Sequence, residues 1–524
     1  MNIHPTLQAL ISEFKKETKS QQGSTKFSVS RAVSMFAVLY EKARNAVEFR
    51  AEHLVRRAAI ERMLKRLIIL EHAPRAIAEG LIVELMWAKY VDGSLINEDI
   101  MDKITDVIEK YLIVKKYIPQ NGHSVQGVNW ATILGIASTE IDETIIPANK
   151  RQAMVGFVYH ALRPKIVIPE WTEEQVNMYT YIAVERSFAQ SDTALIIEHL
   201  LMTINPHWHT WTKDQGEEAI QSMLASLPMI LTAVNDGTIT RITKFMQKQL
   251  PPFLLLRDIC FENEHTIDTL IENPEEFEKV AEAMAANKYK QIGQKVRRAV
   301  VRSIIYILIT KMVFALALEV PFDLFIAKRM DYLPIAINLL FPPLLLFLIA
   351  GFINVPGSEN TKRLIERLKD IVYHFDEYLK EPTAFMLTKQ NKRPILTMIF
   401  SVFYIAGFIL SFGAINYVLS LMHFNIASKT IFLFFIALVS LFAYRIRQSA
   451  KEYEIIDHQG VIEPLVDFFF LPILYAGDLL SKEIAKINIF MFIFDFILEA
   501  PIKVIFEVIE EWIRFIRTKK EEIL

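Results

Sequence analysis

The sequence predicts an all-α protein: a cytoplasmic helical domain, then a polytopic α-helical membrane domain of about four spans, then an amphipathic C-terminal helical tail. Three observations carry that prediction. The 524 residues are 52% hydrophobic with a mean hydropathy of +0.26, and the apolar excess sits mostly after residue 300. Glycine is scarce, with 16 residues in the chain, against a usual share of about 7%. Gly-rich phosphate loops and turn-dense β architecture are disfavoured accordingly. Apolar residues recur at three- and four-residue spacing through the first half, which is the period of an amphipathic helix.

Charge and cysteine content narrow the classes further. Fifty-eight Lys+Arg against 60 Asp+Glu give a net charge of −2, so no nucleic-acid partner is expected. The single cysteine, Cys260, excludes an intramolecular disulfide framework and any cysteine-rich metal centre.

Residues 1–272 read as the cytoplasmic helical domain, with a subdivision near 119–147. Met1 to Thr25 holds no apolar run of signal-peptide length, and a cytoplasmic start is expected. From Ser28 to Glu71 the apolar positions include Val33, Phe36, Leu39, Tyr40, Leu54, Ile60, Leu64 and Leu67. Pro74 ends that pattern, and Asp92-Gly93-Ser94 forms a turn. Ile100, Ile104, Val107, Ile108, Tyr111 and Leu112 stripe the next helix, and Pro119 to Gly122 is a loop. Thr172 with Gln175, and Thr212 with Gln215, have the spacing of capping boxes. Asn235-Asp236-Gly237 and Pro251-Pro252 break the chain again. Only Lys165 to Ile168 looks like a strand, and it is too short to define a sheet.

Two features of this half invite sharper readings. Lys42, Arg44, Arg50, Arg56, Arg57, Arg62, Lys65 and Arg66 crowd one helical region, interrupted by Glu48, Glu52 and Glu61. Such a pattern reads as a solvated face with i,i+4 ion pairs ahead of a surface lying on anionic lipid. His207-Trp208-His209 has two histidines at i,i+2 with no third ligand nearby, so a loop anchored by tryptophan is expected rather than a metal site. No metal, cofactor or catalytic residue is predicted, because P-loop, HExxH, GxSxG and dinucleotide motifs are absent from the sequence.

Residues 273–302 read as a basic connecting helix. Asn273 is an N-cap, Pro274 takes the first position, and Glu275 and Glu276 complement the helix dipole. Lys288, Lys290, Lys295, Arg297, Arg298 and Arg302 then precede an apolar run, which marks the cytoplasmic side.

The membrane domain covers 303–446, with spans near 303–320, 333–352, 394–421 and 430–444. Each can cross a hydrocarbon layer of about 30 Å, which takes about 20 helical residues. The charged loop 355–393 carries eight Lys/Arg and Arg445, Arg447 and Lys451 follow the last span, so both termini are expected in the cytoplasm. Lys328 and Arg329 in the first hairpin run against that rule. Pro342-Pro343 in the second span is expected to kink or break its helix. Gly407 and Ser411 form a small-xxx-small pair that allows close helix approach. Residues 447–524 form the tail; 461–477 and 487–508 are apolar but interrupted by charge, and their relation to the bilayer stays open.

The candidate functional residues are intramembrane charges: Lys311, Glu319 and Asp323 on the first span, and Asp495, Glu499 and Lys503 in the tail. A charged group at mid-bilayer costs about 2.5–3.5 kcal/mol on insertion scales, so each must face protein or water. Asp495 is the first candidate partner for Lys311, with Glu463 and Asp467 behind it. The expected role is a multi-pass protein of the cell (inner) membrane acting as an interaction scaffold, whose cytoplasmic helices bind a protein partner. The alternative is an ion or proton transporter or channel component, a homo-oligomer supplying any missing walls. The lipid bilayer is a partner in both.

Overall fold

A computed structural model describes residues 4–16, 38, 41, 52–71, 73–118, 128–208, 216–328, 332–351, 353, 355–380, 385–386, 394–455, 463–486, 508, 512 and 515–516. Over these residues helices are joined by short turns and loops, and the strand content is two two-residue strands. It divides into two compact units. One is built from 2–247, 375–386 and 489–524, the other from 248–374 and 387–488.

The first unit packs helices α1 (Pro5–Lys15), α2 (Glu52–Leu70), α3 (Pro74–Trp87), α4 (Glu98–Lys116), α5 (Trp130–Ile145), α6 (Asn149–Leu162), α7 (Glu173–Val184), α8 (Thr193–Ile204), α9 (Gly216–Asn235) and α10 (Gly237–Gln249). Their apolar stripes bury Ile60, Ile77, Leu81, Ile104, Ile133, Val158, Ile182, Leu201 and Leu227 completely or nearly so. The capping box at Thr172 and Gln175 starts α7, with both reciprocal hydrogen bonds present. Thr212 and Gln215, the second box, lie outside the described residues, as do 119–127 and His209. Trp208 is the anchor its loop required: fully buried, it donates its indole N–H to the Tyr111 hydroxyl at 3.2 Å. The strand-like segment is β1 (Ile166–Val167), which pairs in parallel with β2 (Phe385–Met386), a strand that comes after α16 (Phe375–Lys380) in the chain.

The basic stretch of α2 is turned inward to a greater extent than a solvated face requires. Arg57, 2% exposed, pairs with Glu61 at 2.8 Å, with Asp192 and with the Ser138 hydroxyl. Arg56 reaches Asp142, Arg62 reaches Glu41 and Arg66 reaches Glu84. Only the Arg57–Glu61 pair has the i,i+4 spacing; the others tie α2 to distant parts of the chain. Lys42, Arg44 and Arg50 lie outside the described residues.

The second unit begins with α11 (Pro251–Glu262) and α12 (Ile267–Glu272). α13 (Pro274–Phe314) starts where its cap signals sit, with Asn273 Oδ1 accepting from the Glu276 N–H. It continues through two π-helical segments, Ala315–Glu319 and Phe322–Ala327, without interruption at Gly293. α14 (Tyr332–Gly351), α15 (Ser358–Tyr373), α17 (Pro394–Leu421), α18 (Ile426–Ala450) and α19 (Glu463–Lys486) complete it. Near the basic end Asp258 of α11 pairs with Lys288 of α13 at 3.1 Å and accepts from Tyr453 just after α18, while Tyr373 of α15 donates to the Ile271 carbonyl of α12. Cys260 is buried in α11, and burial pushes its thiol up to about 12.

Among the described residues four helices are long and apolar enough to cross a membrane: Pro274–Ile326, Tyr332–Gly351, Met398–Leu421 and Ile426–Ala450. The chain is therefore a helical membrane protein, with α17 presenting apolar side chains such as Phe400, Phe403, Ile409 and Val418 outward. α18 is the central helix, packing Ile431, Phe435, Val439, Ala443 and Ile446 against Ile307 of α13 and Leu346 of α14. α19 packs between α17 and α18. Gly477 permits that approach, since a Cβ there would run into the Ala437 carbonyl and lie 3.1 Å from Leu441 Cβ. Gly407 and Ser411 do serve a helix contact; both are buried, and Phe468 of α19 covers Gly407. The α14 helix runs through both Pro342 and Pro343 without a break. In a helix each proline leaves the carbonyl four residues earlier without its usual N–H donor, here those of Asn338 and Leu339.

Candidate functional site: a polar chain inside the membrane bundle

Lys311, Glu319 and Asp323 are 0%, 0% and 1% exposed, although they sit on a helix whose neighbouring apolar side chains face outward. The π-helical segments explain how one helix achieves this. Each wide turn takes an extra residue, which alters the register beyond Phe314 and keeps Glu319 and Asp323 on the inner face with Lys311.

The residue that joins them is Asn338 of α14, itself fully buried. Lys311 Nζ donates to Asn338 Oδ1 at 2.6 Å, and Asn338 Nδ2 donates to Glu319 Oε1 at 2.7 Å. The same amide nitrogen donates to the Ser428 carbonyl at 3.1 Å. The Ser428 hydroxyl donates to Glu319 Oε1. Lys311 also lies over the Phe435 ring, 4.5 Å from its centroid, where the π face favours a cation. The second oxygen of the carboxylate, Glu319 Oε2, is buried with no hydrogen-bond partner among the described residues.

One turn further along α13, Asp323 accepts from Asn425 Nδ2. Asn425 is the N-cap of α18, its Oδ1 accepting the Ser428 N–H at 2.8 Å. A continuous hydrogen-bonded chain thus runs Lys311, Asn338, Glu319, Ser428, Asn425, Asp323. Lys311 and Asp323 are twelve positions apart in the sequence, roughly 18 Å along a helix axis at about 1.5 Å per residue. The chain reaches from the interior of the bundle to the 422–425 turn, where His423 adopts a left-handed backbone conformation with φ 59°.

Asp495, Glu499 and Lys503 lie outside the described residues, so the anticipated Lys311–Asp495 contact does too; the partner the structure gives Lys311 is Asn338. Asn338, Asn425 and Ser428 escaped sequence reasoning because uncharged polar residues barely dent an apolar run. The one available signal was Asn338 four residues before Pro342, where a polar side chain and a freed carbonyl coincide.

No protein family, curated protein or solved structure matches this chain.

Proposed function

We propose that the chain is a multi-pass protein of the cell (inner) membrane that carries protons, alone or as a transporter component, with Glu319 as the group that takes up and releases them. The observation that supports this reading is the hydrogen-bonded chain from the 422–425 turn to Lys311, with Glu319 Oε2 buried and without a hydrogen-bond partner among the described residues. Ionisable groups inside a membrane bundle are costly, and buried carboxylates such as Glu319 and Asp323 are the kind of side chain from which intramembrane proton relays are built. π-helical turns recur at functional sites for the same reason: they alter which side chains face inward. Asn338 couples the two ionisable groups, accepting from Lys311 Nζ and donating to Glu319 Oε1, so a change of charge on one is felt at the other.

The basic residues at 288–302, 362–393 and 445–451 support a cytoplasmic side for the start of α13, for α15 and for the end of α18, with both termini there. The unit built around 2–247 then lies in the cytoplasm. A scaffold role for it has support of its own, since its described residues bury an apolar core and include none of the four membrane-length helices.

The test is full-length protein in liposomes that trap a pH-sensitive dye. An imposed potassium-diffusion potential is expected to drive acid flux through the wild type, with E319Q reduced at least tenfold at equal incorporation. Wild-type flux no greater than in protein-free liposomes, or E319Q flux equal to wild type, contradicts the proposal.

A further inference from the structure

The first unit buries a second polar cluster with a different chemistry. His199 of α8 is 3% exposed, and Glu198 and Glu185 are each 1% exposed. Gly135 lets α5 approach α8 closely, since a Cβ there would stand 3.0 Å from that of Ala194. That approach sets Glu143, near the end of α5, against His199. The π-helical turn Glu185–Ala189 follows α7 and places Glu185 on the other side of the imidazole.

We infer that Glu143, Glu198 and His199 form a binding site for one divalent transition-metal ion, independent of the membrane bundle's polar chain. One donor atom from each of the three lies within 4.8 Å of the others. His199 Nε2 is 3.1 Å from Glu143 Oε1 and 3.9 Å from Glu198 Oε2. Tetrahedral donors at metal–ligand bonds of about 2.1 Å stand about 3.4 Å apart, between those two spacings. With all three donor atoms within 4.8 Å of one another, closing on a cation takes side-chain movement rather than a new backbone.

The surrounding groups have the arrangement that metal-binding histidines use. Glu185 Oε1 lies 2.8 Å from His199 Nδ1, which fixes the ring and leaves Nε2 directed at the two carboxylates. Glu185 is oriented in turn by the Tyr181 hydroxyl at 3.0 Å and by the Ser191 hydroxyl. Glu143 is held by Arg151 and by Gln152, whose Nε2 also stands 3.2 Å from His199 Nε2 and gives way when a metal occupies that position. Glu140, one helical turn before Glu143, is engaged by Lys110 and the Tyr111 hydroxyl and is not a ligand. One imidazole nitrogen and two carboxylate oxygens suit Zn²⁺, Mn²⁺ or Fe²⁺; Ca²⁺ takes oxygen ligands throughout, and Cu⁺ prefers sulfur.

The experiment uses tag-free, full-length protein in detergent, stripped with a chelator and titrated with Zn²⁺, Mn²⁺ and Co²⁺. The wild type is expected to retain one equivalent of Zn²⁺ or Mn²⁺ per chain after gel filtration. Its Co²⁺ form is expected to show visible d–d absorption of a nitrogen–oxygen site. E143Q and E198Q should each weaken binding at least tenfold with unchanged helical circular dichroism, and E185Q by about 10–100-fold, as loss of an orienting partner does. A wild type that retains no ion, or a double E143Q/E198Q variant that retains as much, overturns the proposal and leaves His199 as a protonated ring held between Glu143 and Glu185. If the variants fail to fold, the wild-type stoichiometry and Co²⁺ spectrum decide alone, absence of either being the overturning result.

Discussion

Lys311→Met is expected to lower the stability of the membrane unit by about 3–5 kcal/mol, the cost of leaving one member of a buried charged pair uncompensated. The loss has a specific route. Without the ammonium, Asn338 Oδ1 loses its donor and Glu319 keeps a buried negative charge with no cation near it. Glu319→Gln alone is expected to lose a comparable amount, because Lys311 then keeps the uncompensated charge. The Lys311→Met/Glu319→Gln pair removes both charges and keeps an amide oxygen where Asn338 Nδ2 and the Ser428 hydroxyl donate. It is expected to be no less stable than either single variant, a coupling of several kcal/mol in the double-mutant cycle. Melting in detergent or nanodiscs measures it. Additive losses would mean that the two charges do not communicate through Asn338.

Cysteine accessibility has an all-or-none expectation. In a Cys260→Ser background, a cysteine at Ala427 should react with an impermeant maleimide added outside intact cells, and one at Lys362 should react only after permeabilisation. Ala427 opens α18 beside the 422–425 turn, whereas Lys362 is exposed on α15 among the basic residues. The inverted pattern would reverse the orientation proposed above. External labelling at both positions would remove a membrane crossing between them.

The membrane helices were readable because the bilayer imposes a length and a composition that the sequence records directly. The expected spans 333–352 and 394–421 coincide with α14 and α17 to within a residue or two. The first span is longer than the apolar run 303–320 at both ends, since α13 begins in soluble sequence at Pro274 and its π turns continue to Ala327. Less legible was everything that depends on which helices touch. The segment 461–477 could equally lie on a membrane by its composition; α19 joins the bundle because Gly477 admits it to the backbone of α18. Pro342 and Pro343 do not break α14, because neighbouring helices enclose them and both are buried. The pairing of Ile166 with Phe385 left no local trace, being specified by tertiary packing alone.

The candidate sites divide in the same way. Lys311, Glu319 and Asp323 stood out because charge in an apolar run is rare and costly. Their links through Asn338, Ser428 and Asn425 come from two other helices and carry no periodicity. Glu143 and His199 are 56 residues apart in sequence, and each alone is an ordinary polar residue on an amphipathic helix.

The central claim is that Glu319 binds and releases a proton within the bundle, and pH-difference infrared spectroscopy of reconstituted protein tests it most directly. The account predicts a protonated-carboxyl C=O band that gains and loses intensity as pH is cycled in the wild type and is missing from E319Q. A band of equal size in E319Q, or a wild-type spectrum with no such band at any pH, would contradict it.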